Sequence, residues 1–389
     1  MNKILKCGAH GFGLVYPAYT GFVATRGLQP DTLNATNRQA MSRSTHYTRT
    51  DVTSFKIIVP NWYINGSLNE TGSGSAMSVT GSIEYPVGVF TQVLFSGGAT
   101  GSVPNNSYLI SDTITVTIPT DTQFWIRLYA TSTTGIIYSS AQPNTLGQFE
   151  MGVSGITDRT MGGSISNLGN AFAPVAIIGT TTKPSFLLIG DSIMYGVADS
   201  SSPNGFADLG PYARAVGPLY GYSKLARTSD TAAKFVSGHT NRGTLFQYAT
   251  HVICNYGSND LFVSSRTDVQ LKADLATIAG YSTSLGTAGP TYFATIAPRT
   301  QSSDSWATLG NQSQSNGTAE GYRVSVNQHL RAGLVGNRTF NTANAVETSQ
   351  DSGFWKSPSY TADGTHPSSA AIVLMLNERH TNLHRLLPF

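Results

Sequence analysis

The chain reads as an α/β domain with a parallel sheet, preceded by an all-β region, and two observations carry this reading. Up to about Thr182, apolar residues fall on alternate positions in short stretches separated by Gly- and Asn-rich turns, with no helical period. After Lys183-Pro184, short and wholly apolar runs alternate with stretches of helical period. A length of 389 residues suits two domains better than one.

Each element follows from its residues. Met77, Val79, Gly81, Ile83 and Tyr85 lie on one face of a strand, as do Ile114, Val116 and Ile118. Pro119-Thr120-Asp121-Thr122 then turns the chain into a strand with Phe124, Ile126 and Leu128 on one face and Trp125, Arg127 and Tyr129 on the other. A β-sandwich is expected from about Asp51 to Ser140, with Ala141–Thr182 linking or wrapping. Residues 1–50 lack clear periodicity and are expected to run as an extended segment along the C-terminal domain. The domains are therefore 1–50, 51–182 and 183–389. In the last, strands are expected at Phe186–Ile189, His251–Cys254 and Tyr292–Ala297, with helices at Asp268–Ser284 and Tyr322–Leu334. A final helix opens with Pro367 in its first turn and carries Ile372, Val373 and Leu376, which makes a three-layer α/β domain.

Composition excludes several classes. Charged residues make up 12%, net charge is +3 and no basic block occurs, so nothing favours a nucleic-acid partner. Lys is scarce while Gly, Ser and Thr abound, as on an extracellular or virion surface. No run approaches the ~20 apolar residues of a membrane span, and Gly11–Ala24 is too broken by Pro17 and Gly21 for a signal peptide. Cys7 and Cys254 could pair, but Cys254 sits in an expected buried strand and suits a small core residue. His10, His46, His239, His251, His329, His380 and His384 show no metal-ligand spacing, so no metal or other cofactor is expected. Oligomeric state is not legible.

Three short motifs carry chemistry. Gly190-Asp191-Ser192 follows the apolar run Phe186–Ile189, and Gly257-Ser258-Asn259-Asp260 follows His251–Cys254. Asp363-Gly364-Thr365-His366 precedes the last helix. Each alone has a bland reading: Ser192 as a helix cap, Asn259-Asp260 as a turn, His366 as a loop histidine. Together they supply a nucleophile and an oxyanion donor at the ends of strands, which converge in an open α/β sheet, and an acid–histidine pair at the start of a helix. A serine esterase is expected. Asp191 is read as structural and Asp260 as a support for its loop.

On these motifs the C-terminal half, from near Lys183, resembles the SGNH or GDSL-type hydrolases, named for Ser, Gly, Asn and His in four sequence blocks. The resemblance implies that Ser192 is the nucleophile, His366 the general base and Asp363 its orienting acid, with Asn259 donating to the oxyanion. The second block departs from the family. Its counterpart here is Thr228-Ser229-Asp230-Thr231, so Ser229 stands where the family has Gly and completes the oxyanion hole with the Ser192 N–H. A backbone N–H suffices there if Ser229 need not adopt positive φ; otherwise Gly217 or Gly221 fills the block.

An acylated carbohydrate or small ester is the expected substrate, with acetyl as the acyl group. Many family members that act on polysaccharides carry a β-sandwich, and Trp62, Trp125 and Tyr129 could form a sugar-stacking face or bury the contact between domains. A lipase or arylesterase of the same fold is one alternative, disfavoured by the lack of a long apolar lid. A phage or surface glycan-binding component with secondary esterase activity is another. Arg299 and Trp306, in and after the loop following a strand end, are expected to contact substrate.

Overall fold

The structure is a computed structural model that describes residues 16–140, 149–153, 155–165, 170–199, 208–287, 289–335, 338–356 and 359–376. Strands Ser185–Gly190, Gly221–Ala226, His251–Cys254, Thr291–Ala294 and Arg338–Phe340 form one parallel sheet, with the first lying between the second and third. The first three are buried along their whole length, which is why Ser-Phe-Leu-Leu-Ile-Gly reads as a continuous apolar run. Numbered along the chain these five strands stand in the order 2-1-3-4-5, so the connections after strand 1 and after strand 3 run in opposite directions and the order switches between strands 1 and 3. In doubly wound sheets that switch point is where a crevice opens at the carboxyl ends.

Helix Asp268–Ser284 starts at a capping box made by Thr267 and Gln270, and buries Leu271, Leu275 and Ile278. Val269 lies off this stripe and is exposed. The next helix runs over Gly317–Arg331, five residues earlier than expected, because the Asn316 side chain caps the Ala319 N–H. Gly317 and Gly321 are weak helix formers and hid that start. The last described helix, Ser369–Met375, is capped by Ser368, so Pro367 precedes the cap instead of lying in the first turn. No helix among the described residues is long and apolar enough to cross a membrane.

The N-terminal half consists of antiparallel strands. Tyr19–Phe22, Ala176–Thr181, Val52–Pro60 and Tyr108–Ile110 form one sheet, with Ile114–Ile118 also paired to Val52–Pro60. Thr100–Val103, Met77–Glu84, Gln123–Ser132, Gln39–Tyr47 and Phe149–Gly152 form another, with Phe90–Val93 on Met77–Glu84. Phe55, Ile57 and Val59 of the first share an apolar cluster with Val79, Ile83, Phe124, Ile126 and Leu128 of the second.

The first fifty residues do more than run alongside the C-terminal half. Gln39–Tyr47 is an inner strand of the larger antiparallel sheet. It is covered on both faces, so its sequence shows no alternation. Gly27–Leu28 pairs in parallel with Gly221–Ala226 and forms an edge of the parallel sheet. Trp62 is buried with Phe22 and Ile64 among Leu187, Leu225 and Phe235, so it seals the contact between the two halves. Trp125 lies under the Arg43 guanidinium at 4.4 Å, and the Tyr129 hydroxyl donates to Gln39 Oε1. The three aromatics do not form one flat exposed face.

Candidate active site

Strand Ser185–Gly190 ends where the chain must turn sharply into the four-residue helix Ser192–Tyr195. Asp191, not Ser192, caps that helix: its Oδ1 accepts from the Ile193 N–H at 2.9 Å. Ser192 is thus the first helical residue, 8% exposed, at the carboxyl edge of the central strand. A Cβ at Gly190 would collide with the Asn255 side chain and with Met194, so the turn needs glycine there.

His366 and Asp363 reach Ser192 from the far end of the chain. His366 Nε2 lies 2.8 Å from Ser192 Oγ, and His366 Nδ1 lies 2.5 Å from Asp363 Oδ2. The other carboxylate oxygen accepts the backbone N–H groups of Thr365 and His366 at 2.9 and 2.8 Å. Burial works to raise the Asp363 pKa, but these bonds outweigh it and hold the carboxyl below its ordinary range. An ionised acid therefore faces one ring nitrogen while the other faces the serine hydroxyl. Such a chain can draw a proton from the serine and return it to a leaving group.

Asn259 belongs to helix Ser258–Phe262, which Gly257 opens at φ 137°. Its Nδ2 donates to the Asp230 carbonyl at 3.2 Å, which ties it to the loop after strand Gly221–Ala226. An amide has two N–H groups, and among the described residues only one of them has a partner, which leaves the other for a ligand. Ser229 lies in that loop with φ 67°, the left-handed conformation that favours glycine. Gly221 opens the same strand opposite Ser185, at the end away from Ser192, and Gly217 precedes it. The strand register therefore puts Ser229, and neither Gly217 nor Gly221, at the Ser192 end of the sheet, although Ser229 adopts the positive φ that was expected to argue against it.

Two supports were not legible in the sequence. Asn255 caps strand His251–Cys254, donating from Nδ2 to Asp191 Oδ1 at 3.1 Å and accepting the Asp191 N–H at 3.3 Å. Burial pushes the Asp191 carboxyl up to about 6. Behind Ser229, Arg242 is fully buried between Asp230 at 2.7 Å and Glu70 at 3.0 Å, and Tyr256 donates to Asp230 at 2.9 Å. Asp260 accepts the N–H groups of Ala232 and Ala233, so it joins the third block to the second, and burial raises its pKa to about 7. Asp260 keeps the supporting role read from the sequence; Asn255 signalled itself only as a polar residue just before Gly257, and nothing in the sequence tied Arg242 or Glu70 to the site.

Arg299 follows strand Thr291–Ala294; its Nη1 is buried without a hydrogen-bond partner among the described residues. Trp306 turns its ring toward Gly364, and its indole N–H donates to Thr300 Oγ1 at 2.8 Å. Cys254 is buried, and burial raises its thiol pKa; Cys7, His10, His380 and His384 lie outside the described residues. His46 and His251 are buried, with burial pushing each pKa down to about 3.

No family model and no curated protein matches the sequence. Among solved structures, the chain is similar to a GDSL-like lipase from Bacteroides thetaiotaomicron at 14% identity and TM-score 0.36, covering 50% of this chain and 84% of that one. It is similar to a catalytic mutant of an acetylxylan esterase from Geobacillus stearothermophilus at 16% identity and TM-score 0.35, covering 51% and 93%. A carbohydrate acetylesterase from Sinorhizobium meliloti aligns at 17% identity and TM-score 0.35, covering 52% and 100%.

Proposed function

We propose that the protein is a serine esterase that removes short acyl groups, acetyl first, from a carbohydrate. The observation that carries this is the unbroken run of contacts from Ser192 Oγ through His366 to Asp363 at the sheet's switch point. His366 Nε2 takes the hydroxyl proton as Ser192 Oγ attacks the ester carbonyl carbon, and Asp363 keeps the ring oriented. The carbonyl oxygen gains negative charge and is met by the Ser192 and Ser229 N–H groups and the free N–H of the Asn259 amide. Collapse expels the alcohol, which takes the proton from His366. Water then attacks the acyl-serine by the same route and frees the acid.

Arg299 is the proposed contact to a polar substrate for its place beside Thr300, whose backbone N–H donates to the Gly364 carbonyl between Asp363 and His366. A sugar-binding role for the β-rich half, as a sandwich beside the catalytic half, belongs to the same reading, as does an extracellular or virion-associated location. The test is hydrolysis of p-nitrophenyl esters from acetate to longer chains by the protein and its Ser192→Ala variant. Turnover confined to short chains, with kcat reduced about a millionfold in the variant, is expected. Rates that rise with chain length would point to a lipase instead. Equal rates in both proteins would remove Ser192 as nucleophile and favour a glycan-binding component.

A further inference from the structure

The loop 302–311 is built in an unusual way for an exposed, serine-rich segment. Ser305 and Trp306 are consecutive non-glycine residues in the left-handed region, at φ 56° and 60°. Such backbone is costly and persists only where its surroundings over-determine it. Here they do. Ser302 Oγ accepts the Trp306 N–H at 2.8 Å, and Asp304 accepts from Ser302 Oγ, the Ala307 N–H, Thr308 Oγ1 and Asn311 Nδ2 at 2.6 to 3.2 Å. Those side-chain bonds hold the Asp304 carboxyl below its ordinary range.

The strained turn delivers the indole to one place. Its ring packs on Gly364, between Asp363 and His366, and its N–H is taken by Thr300. Gly364 is itself at φ 72° and has no room for a Cβ between the Thr300 carbonyl and the indole ring. Its carbonyl accepts two bonds, from the Thr300 N–H at 2.9 Å and the Trp355 Nε1–H at 3.0 Å. Gln312 closes the ring of contacts: it donates to the Trp355 carbonyl at 2.9 Å and accepts the Trp355 N–H at 3.2 Å. The acid–histidine loop is otherwise half exposed, with side-chain exposures of 50% for Asp363 and 19% for His366.

We infer that Trp306 is a positioning residue, which acts by clamping Gly364 so that the Asp363–His366 pair stays aligned on Ser192, and is not a substrate contact. This rests on the proposed serine esterase reading. A loop that sets the base's angle changes the rate of attack more than it changes substrate binding, since a displacement near 1 Å in the reacting geometry can cost about a hundredfold. An aromatic that touched substrate in ground and transition states alike would move KM instead.

The experiment compares the full chain with Trp306→Ala, Trp306→Phe and Ser192→Ala on p-nitrophenyl acetate. In the same samples it records the low-field proton signal of the His366–Asp363 hydrogen bond, assigned with Asp363→Asn. Trp306→Ala is expected to lower kcat by about ten- to a hundredfold with KM within about twofold of wild type, and to weaken the low-field signal. Trp306→Phe, which keeps a ring on Gly364, should recover most of both. Should Trp306→Ala not fold, Trp306→Leu is read by the same criteria. A raised KM with unchanged kcat, or an unchanged kcat and signal, would overturn the inference. Undiminished hydrolysis by Ser192→Ala would instead overturn the esterase reading, and the proton signal would still decide whether Trp306 clamps the pair.

Discussion

Ser229 occupies left-handed backbone, a conformation that favours glycine, in the loop after strand Gly221–Ala226. An L-residue there carries steric strain of about 1–2 kcal/mol, partly offset by the roughly 0.5–1 kcal/mol that glycine loses in chain entropy on folding. Ser229→Gly should therefore stabilise the protein by about 0.5–1 kcal/mol, read as a higher urea midpoint. The backbone N–H is kept, so kcat should not change; a lower kcat would mean that the serine hydroxyl itself serves the site. The residue type alone could not reveal this conformation, since φ at Ser229 is set by neighbours distant in sequence, among them Arg242 and Glu70 behind Asp230. Ser192, Asp363 and His366 were legible for the opposite reason. Ser192 adjoins the apolar run Phe186–Ile189, which fixes the strand end it follows, while Asp363 and His366 stand three residues apart just before the last helix, and the structure brings the three side chains together.

Helix Ser192–Tyr195 has only one turn, so its cap matters more than its propensity. Asp191 supplies that cap from a fully buried position, with Oδ2 lacking a partner among the described residues. Burial raises its pKa from 3.8 to about 6. A carboxyl raised in the folded state contributes stability that is present below its unfolded pKa and lost as pH rises through the folded value. Asp191→Asn retains the capping oxygen but cannot ionise. Between pH 4 and 7 the variant should gain roughly 3 kcal/mol on wild type, two pH units at about 1.4 kcal/mol each, in paired denaturation curves. Curves that stay parallel would show that the buried carboxyl is not being charged. Strands and long helices were readable where one face alternates with another or carries a 3.6-residue stripe, as at Met77–Glu84 and Asp268–Ser284. Gln39–Tyr47 was not, because both its faces are covered.

The two halves of the molecule share one interior. Phe22, Ile58, Trp62 and Ile64 from the N-terminal half lie in the same cluster as Leu187, Leu225 and Phe235, and Glu70 holds the buried Arg242. Residues 183–389 expressed alone would leave that apolar face bare and Arg242 with Asp230 but without the Glu70 carboxylate. The fragment should aggregate or lack a cooperative melt by calorimetry, while the full chain should unfold in one transition covering both halves. A fragment that melts cooperatively near the full chain's temperature would show that the shared interior is dispensable.

Tyr19 pairs with Thr181, so one antiparallel ladder closes a loop of about 160 residues before its first bond forms. A ribosome adding about 5–20 residues per second would need roughly 10–30 s to deliver the second strand after the first has emerged. Throughout that interval Thr20 and Phe22 wait with an unpaired strand edge, and the nascent chain must be kept from joining another copy of itself.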